Sequence, residues 1–341
     1  MKRASVGIFS LIFISVMLVA CGGGDSSQPA TNGEETEGSF SGIVPVYTPG
    51  SGGINYIISA GLANIINNEK VLPGASFATE ATNGTSEIVQ YMSERHQQGM
   101  PAFGGIGALG ADQAFNGVLE PVPGEHDYLR GIGYLSYNAL HLVVRENSPI
   151  QSFEDLAGKR VGVAAIGTPP TELLEDLMEA HGVSKDDYQP LPLSSFTEIQ
   201  EAVANGSVDA GYLMGAIPAP TVREITQTEN VRIIPVDPSI METFESEHPY
   251  YSSVDIPAGT YPGQDEDITI GAFYSIYITH EQTDDEMVYK FLETIMNNTD
   301  GLKDIHPTFD IVPESVTEGV TIPYHPGALK YFEDHGIEVQ Q

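Results

Sequence analysis

The chain has 341 residues, of which only 14 are Lys or Arg against 47 Asp or Glu, a formal net charge of −33 with His counted neutral. That balance excludes nucleic acid as an expected partner, because a phosphate backbone is held by clustered cations, and the single Cys excludes an intramolecular disulfide framework or a zinc site built on Cys pairs. At 41% hydrophobic the chain can build a large core, and its length points to about two domains.

The first twenty residues differ from the rest. Lys2 and Arg3 precede an apolar run from Val6 to Ala20 with no acidic residue, the pattern of a secretory signal and too short for a spanning helix. Leu18-Val19-Ala20-Cys21-Gly22 then resembles the lipobox of bacterial lipoproteins, which implies that Cys21 becomes the lipidated N-terminus. Residues 21–40, rich in Gly, Ser, Thr and Glu, read as a flexible tether. The body is therefore expected outside the cytoplasm, lipid-anchored to a bacterial membrane, because no later segment approaches the ~20 apolar residues of a span.

Beyond the tether, short β-rich runs alternate with helical periodicity. Ile43 to Tyr47 reads as a strand, weakened by Pro45, which cannot donate to a ladder. A turn through Gly50-Ser51-Gly52-Gly53 follows, then Ile54, Ile57, Ile58, Leu62, Ile65 and Ile66 at helical spacing. The unit repeats with a strand at Ser76 to Thr82, a turn at Asn83-Gly84-Thr85-Ser86 and a helix carrying Ile88, Val89 and Met92.

A second series starts with strands at Leu140 to Arg145 and Val161 to Ala165. Gly167-Thr168-Pro169-Pro170 then opens a helix with Leu173, Leu174, Leu177 and Met178, closed by Gly182, with the prolines in the first turn and the glycine at the end where each is tolerated. Strands at Tyr188 to Leu193, Val208 to Leu213 and Val231 to Pro235 flank a helix from Phe196 to Ala204 and another after Pro220. Tyr251 to Asp267 has no periodicity and reads as a loop; Ile268 to Thr279 reads as a long strand, and Asp284 caps a helix with Met287, Val288, Phe291, Leu292 and Ile295.

Such a succession predicts an α/β fold of two lobes, each a mostly parallel sheet flanked by helices, with strand-to-helix loops facing a cleft between the lobes. The late strand and helix are expected to return to the first lobe. The division reads as 1–20 signal, 21–40 tether, 41–138 with 255–341 as a discontinuous lobe I, and 139–254 as lobe II.

Ile256-Pro257-Ala258-Gly259-Thr260-Tyr261-Pro262-Gly263-Gln264-Asp265 resembles the signature loop of TAXI proteins, the solute-binding subunits of one class of tripartite ATP-independent periplasmic (TRAP) transporters. The Gly50–Gly53 turn with Tyr56, Ala81-Thr82-Asn83-Gly84 with Ser86, Leu140 to Arg145 followed by Leu156 to Val161, Gly211 to Pro220, and Ile322-Pro323-Tyr324-His325-Pro326-Gly327-Ala328 are similar to that family in the same order. The resemblance implies a hinged, monomeric periplasmic binding protein that closes over a small organic anion, such as glutamate, 2-oxoglutarate or another carboxylate. It implies delivery of that anion to a TRAP membrane permease, with no cofactor, no metal and no reaction.

Backbone N–H groups of the glycine turns and the helix starts behind them favour an anion. Ser51, Gly53, Asn55, Tyr56, Thr82, Asn83, Gly84 and Ser86 are the candidates in the first lobe, Gly167, Thr168 and Thr171 in the second, and Tyr261 with Gln264 in the signature loop. Where the family has a Gly-Ser-Gly-Thr turn, this chain has Gly167-Thr168-Pro169-Pro170-Thr171; two prolines remove two donors and Glu172 adds a negative charge, so a carboxylate is less welcome at that end. Enzyme readings find no support: no P-loop, no Gly-x-Ser-x-Gly elbow and no His-x-x-x-His pair occurs. The alternative function is a lipid-anchored sensor or scaffold using the same cleft.

Overall fold

A computed structural model describes residues 40–306, 309 and 311–339. The expected signal segment, Cys21 and the tether as far as residue 39 lie outside the described residues.

In chain order the elements are β1 (Gly42–Pro49), α1 (Ile54–Glu69), β2 (Ala75–Thr82), α2 (Thr85–Gln98), β3 (Phe103–Gly107), α3 (Ala108–Phe115) and β4 (Leu129–Arg145). A short 3-10 turn (Phe153–Leu156) leads to β5 (Arg160–Val163), α4 (Pro169–Ala180), β6 (Gln189–Pro192), α5 (Phe196–Asn205), β7 (Ala210–Gly215), α6 (Pro220–Thr228), β8 (Val231–Ile234) and α7 (Pro238–Glu247). The chain finishes through β9 (Tyr251–Ile256), β10 (Ile268–His280), α8 (Asp285–Asn297), α9 (Thr299–Ile305) and α10 (Pro326–His335).

The strands form one sheet in the order β2-β1-β3-β10-β4-β7-β5-β6, with β8 beside β4 and β9 beside β10. Its two wings are parallel: β1 pairs with β2 and β3, and β5 pairs with β6 and β7. The centre is antiparallel and continuous. β4 pairs with β10 from Leu129 to Ala139, then with β7 from Ala139 to Val144 and with β8 from Leu142 to Arg145; β10 pairs with β9 from Ile268 to Phe273 and with β3 from Ser275 to Ile278. Two long strands therefore run from one wing into the other, and both change partners near Asn138 and Ser275. This is the two-lobed α/β architecture that the alternation of strand and helix signals predicts, with the lobes sharing their central strands.

Side-chain alternation along β4 shows how both sheet faces are covered. Leu140, Leu142 and Val144 enter the cluster made with Val161, Leu174, Leu177 and Tyr212, while Ala139 and Val143 enter the opposite one with Ile199, Val203 and Val222. In the other wing, α1, α8 and α10 pack on one face around Phe77, Phe103, Tyr277 and Phe291, and α2 and α3 pack on the other around Ile88, Met92, Ile106 and Ile276. With both faces buried, the strands read as continuous apolar runs.

Two local readings need correction, and one strand, β3, carries no sequence signal. β4 begins at Leu129, eleven residues ahead of the strand expected at Leu140. Its first half alternates with Gly131, Gly133 and Ser136, which dilute the apolar signal. Tyr251–Ile256, expected to be loop, is β9, because its backbone completes the edge of β10 and its own side chains carry little periodicity. Phe103–Gly107 is β3 despite three glycines; a Cβ on Gly105 would come within 2.8 Å of Leu135 Cδ2, so the glycine reflects tight packing beneath α1. At Pro45 the expected weakness is avoided: β3 joins β1 only at Val46 and Tyr47.

Candidate functional site

A cavity of about 830 Å³ lies where the two long strands change partners. Pro49, Gly53 and Asn55 come from the β1–α1 turn, Asn83, Gly84, Ser86, Glu87 and Gln90 from the β2–α2 turn and the start of α2, and Gly107, Gly110 and Gln113 from the end of β3 and α3. Val118, Leu119 and Glu120 border it. The opposite wing supplies Gly167, Thr168, Pro169, Pro170 and Glu172 at the start of α4, and Asn138, Phe273 and Ser275 of the crossing strands form its floor. Strand-to-helix turns of both wings thus converge on one space, as strand ends of α/β sheets do.

Asn55 is the buried anchor of this floor. Ser136 Oγ donates to its Oδ1 at 2.9 Å, and its Nδ2 donates to Ser275 Oγ at 3.2 Å, where Asn138 Nδ2 also donates at 3.3 Å. With two amides using its lone pairs, Ser275 has its own hydroxyl proton to offer the cavity it lines. No side chain caps α1, whose N-cap is Gly53, so its first-turn N–H groups face the same space uncapped.

The α2 start is different. Glu87, in its first turn, reaches back to accept from the Asn83 backbone N–H at 2.6 Å and from Asn83 Nδ2 at 2.9 Å. Those bonds, the Asn83 backbone one first and Tyr91 next, hold the Glu87 carboxyl below its ordinary pKa. An internal carboxylate therefore already sits at that helix start.

The α4 start has no donor to give in its first turn. Pro169 and Pro170 lack N–H groups, and those of Thr171 and Glu172 both bond the Thr168 carbonyl at 2.9 Å. The hydroxyls are committed as well: Thr168 Oγ1 donates to the Ala165 carbonyl at 2.6 Å, and buried Thr171 reaches the same carbonyl and Tyr212 Oη. Glu172, half-buried, accepts from Gln113 Nε2 at 3.2 Å across the cavity. Burial raises its carboxyl pKa, with the Gln113 bond opposing and Asp176 and Glu175 adding to the rise.

Among the sequence candidates, the structure brings Gly53, Asn55, Asn83, Gly84, Ser86, Gly167 and Thr168 to the cavity wall. Ser51 and Tyr56 lie in the adjoining turn and helix without lining it. Thr82 is buried behind the wall, its hydroxyl accepting from the Gly84 N–H, and Thr171 is buried on the inner face of α4.

Tyr261 and Gln264 are placed elsewhere. The Tyr261 ring is buried in the cluster of Val222, Ile225 and Ile270, and its Oη accepts from the Ala219 N–H at 2.7 Å and meets His141 Nε2 at 2.9 Å. Gln264 spends its amide inside its own loop, donating to the Ile256 and Glu266 carbonyls and accepting from the Tyr261 N–H. The physical reason is closure of the 257–265 loop on itself, which turns the ring inward to the neighbouring strands. Replacing Tyr261 by Phe is therefore expected to cost about 1–3 kcal/mol by stranding the buried Ala219 donor. Urea unfolding of the two proteins checks this; a variant as stable as the wild type would show that the Ala219 N–H does not depend on the Tyr261 hydroxyl.

Sequence reasoning missed Asn138, Ser275, Phe273, Gln113 and Gln90. The available signal was a polar residue in the middle of a long apolar strand, as at Asn138 and Ser275. Gln113 carries none, since only the fold brings α3 opposite α4.

The NMT1-like family profile matches residues 46–336. Among solved structures, the chain is similar to a TctC solute-binding protein from Polaromonas, with 16% identity, a TM-score of 0.52 and coverage of 77% of this chain and 86% of that one. It is also similar to the periplasmic aliphatic sulphonate-binding protein SsuA from Escherichia coli, with 14% identity, a TM-score of 0.51 and coverage of 85% and 78%. A protein of Xanthomonas citri bound to ATP gives 12% identity, a TM-score of 0.53 and coverage of 86% and 99%. At these identities the likeness is one of fold. Among the described residues, no helix is long and apolar enough to cross a membrane.

Proposed function

The chain belongs to the NMT1-like family, and from that premise we propose that it is an extracytoplasmic solute receptor. It binds a small carboxylate-bearing solute in the cavity beneath α1, α2 and α4, closes over it, and hands it unchanged to a TRAP permease as a TAXI-type subunit, tethered to the membrane by lipidated Cys21. One observation carries the reading: strand-to-helix turns of both wings meet in a single cavity of about 830 Å³ over two strands common to both wings. A rotation about those strands opens or closes such a space without breaking either core.

The lobes divide within β4 at Asn138, where its partner changes from β10 to β7. The return is better drawn inside β10 than at residue 255, because Ile256, Ile270 and Ala272 pack with Val143 and Leu213 of the second wing. The solute carboxylate rests on the first-lobe side, where the uncapped start of α1 and the Ser275 hydroxyl supply neutral donors in place of cations.

The test is mass spectrometry of solutes released from the purified protein, followed by thermal unfolding with each compound added back. A solute that binds only the folded state at ~100 times its Kd stabilises it by about 2.7 kcal/mol. Recovery of a carboxylate that raises the melting temperature and returns chemically unaltered supports the proposal. A chemically converted solute, or the failure of any solute to bind, would sink it.

A further inference from the structure

The two sides of the cavity differ in charge preference. Among the described residues, those lining it include Glu87, Glu120 and Glu172 and no Lys, Arg or His. On the α4 side every first-turn donor is missing or spent, since Pro169 and Pro170 have none, and Thr171 and Glu172 give theirs to Thr168. Both threonine hydroxyls point their bonds at the Ala165 carbonyl. What that side presents is the Glu172 carboxylate, half-buried, with one amide donor from Gln113 on one oxygen and Glu175 and Asp176 close enough to repel it. A half-buried carboxylate with no cation beside it is destabilised by desolvation and by its neighbours. An arriving cation relieves both effects, whereas an arriving carboxylate worsens them.

Resting on the receptor reading above, we infer that the solute carries a cationic nitrogen opposite its carboxylate, paired with Glu172, and that the receptor selects amino-substituted acids over dianions. Glu172 is then a specificity-determining residue. The charge of the whole chain acts in the same direction, because a net −33 slows the approach of a dianion more than that of a zwitterion.

The experiment uses matched straight-chain acids of four to eight carbons. At each length the far end is an ammonium, a methyl group or a second carboxylate, and binding is measured calorimetrically to the wild type, Glu172→Gln and Glu172→Asp. At the length that fits, the ω-amino acid should bind at least tenfold more tightly than the dicarboxylate, with the monocarboxylate between them. Glu172→Gln keeps an acceptor for Gln113 and should melt near the wild type, yet lose the preference, and Glu172→Asp should restore part of it. A dicarboxylate that binds best, or an amino preference that survives Glu172→Gln, overturns the inference and leaves the receptor reading standing. If neither this series nor any released solute binds, both fall.

Discussion

Replacing Phe291 by Ala is expected to lower the unfolding free energy by about 3–5 kcal/mol, the range for emptying a fully buried aromatic site. Phe291 projects from α8 into the core packed on β1–β3, where its ring centroid lies 4.3 Å from that of Phe103, 5.1 Å from Tyr277 and 5.9 Å from Phe77. Those partners sit on β3, β10 and β2, so one side chain joins a helix late in the chain to three strands of the sheet. Their positions are fixed by backbone pairing, which prevents collapse into the space left behind. Urea unfolding of the two proteins measures the difference. A loss below about 1 kcal/mol would mean that α8 contributes little to that core. If the proposed receptor function is right, the variant should keep its solute affinity under folding conditions, because Phe291 belongs to a core cluster and does not line the cavity.

That late helix was legible in the sequence, since Asp284 and the stripe through Phe291 announce it, and the structure has Asp284 Oδ1 accepting from the Met287 N–H at 3.0 Å. Where an element is marked by its own apolar periodicity, as α1, α4, α5 and α8 are, and in α5 and α8 also by a side-chain cap, residues alone locate it. β3 and β9 were not legible for the opposite reason: their glycines and polar residues make sense only against Leu135 or β10, which lie far along the chain. The site divides in the same way. Turns such as Gly53 and Asn83-Gly84 stand out by composition, and the paired prolines before Glu172 gave correct warning of a helix start without donors. The direction of the Tyr261 ring was not legible, because the loop's own hydrogen bonds decide which way it faces. Asn138 and Ser275 acquire their place only once two strands, 137 positions apart at those residues, lie side by side.

The same Tyr261 leads to the second large effect. His141, on β4, has no exposed surface, and burial pushes its imidazole pKa down to about 4, against smaller opposing pulls from the backbone of Leu213 and Ala139. In the unfolded chain it titrates near its ordinary value of 6.5. Above that pH both states are neutral and the group has no pH-dependent effect. Between 6.5 and 4 the unfolded chain takes up the proton and the folded protein refuses it, so stability falls as pH falls, by up to about 1.4 kcal/mol per pH unit and about 3 kcal/mol over the window. Below 4 both states are protonated and the dependence on His141 ends. His280, His306 and His325 are pushed down by burial too and add to the wild-type slope. Carboxyls held low by hydrogen bonds, such as Asp209 and Asp237, act at lower pH, where their stabilisation is lost as they protonate. The contribution of His141 is therefore isolated by difference. His141→Gln keeps a polar group beside Tyr261 Oη and should be the less stable protein at pH 7.5. Its deficit should shrink by about 3 kcal/mol as pH falls from 6.5 to 4. Denaturant titrations at half-unit intervals test this, and two stability curves that stay parallel across the window would show that His141 already carries its proton in the folded core.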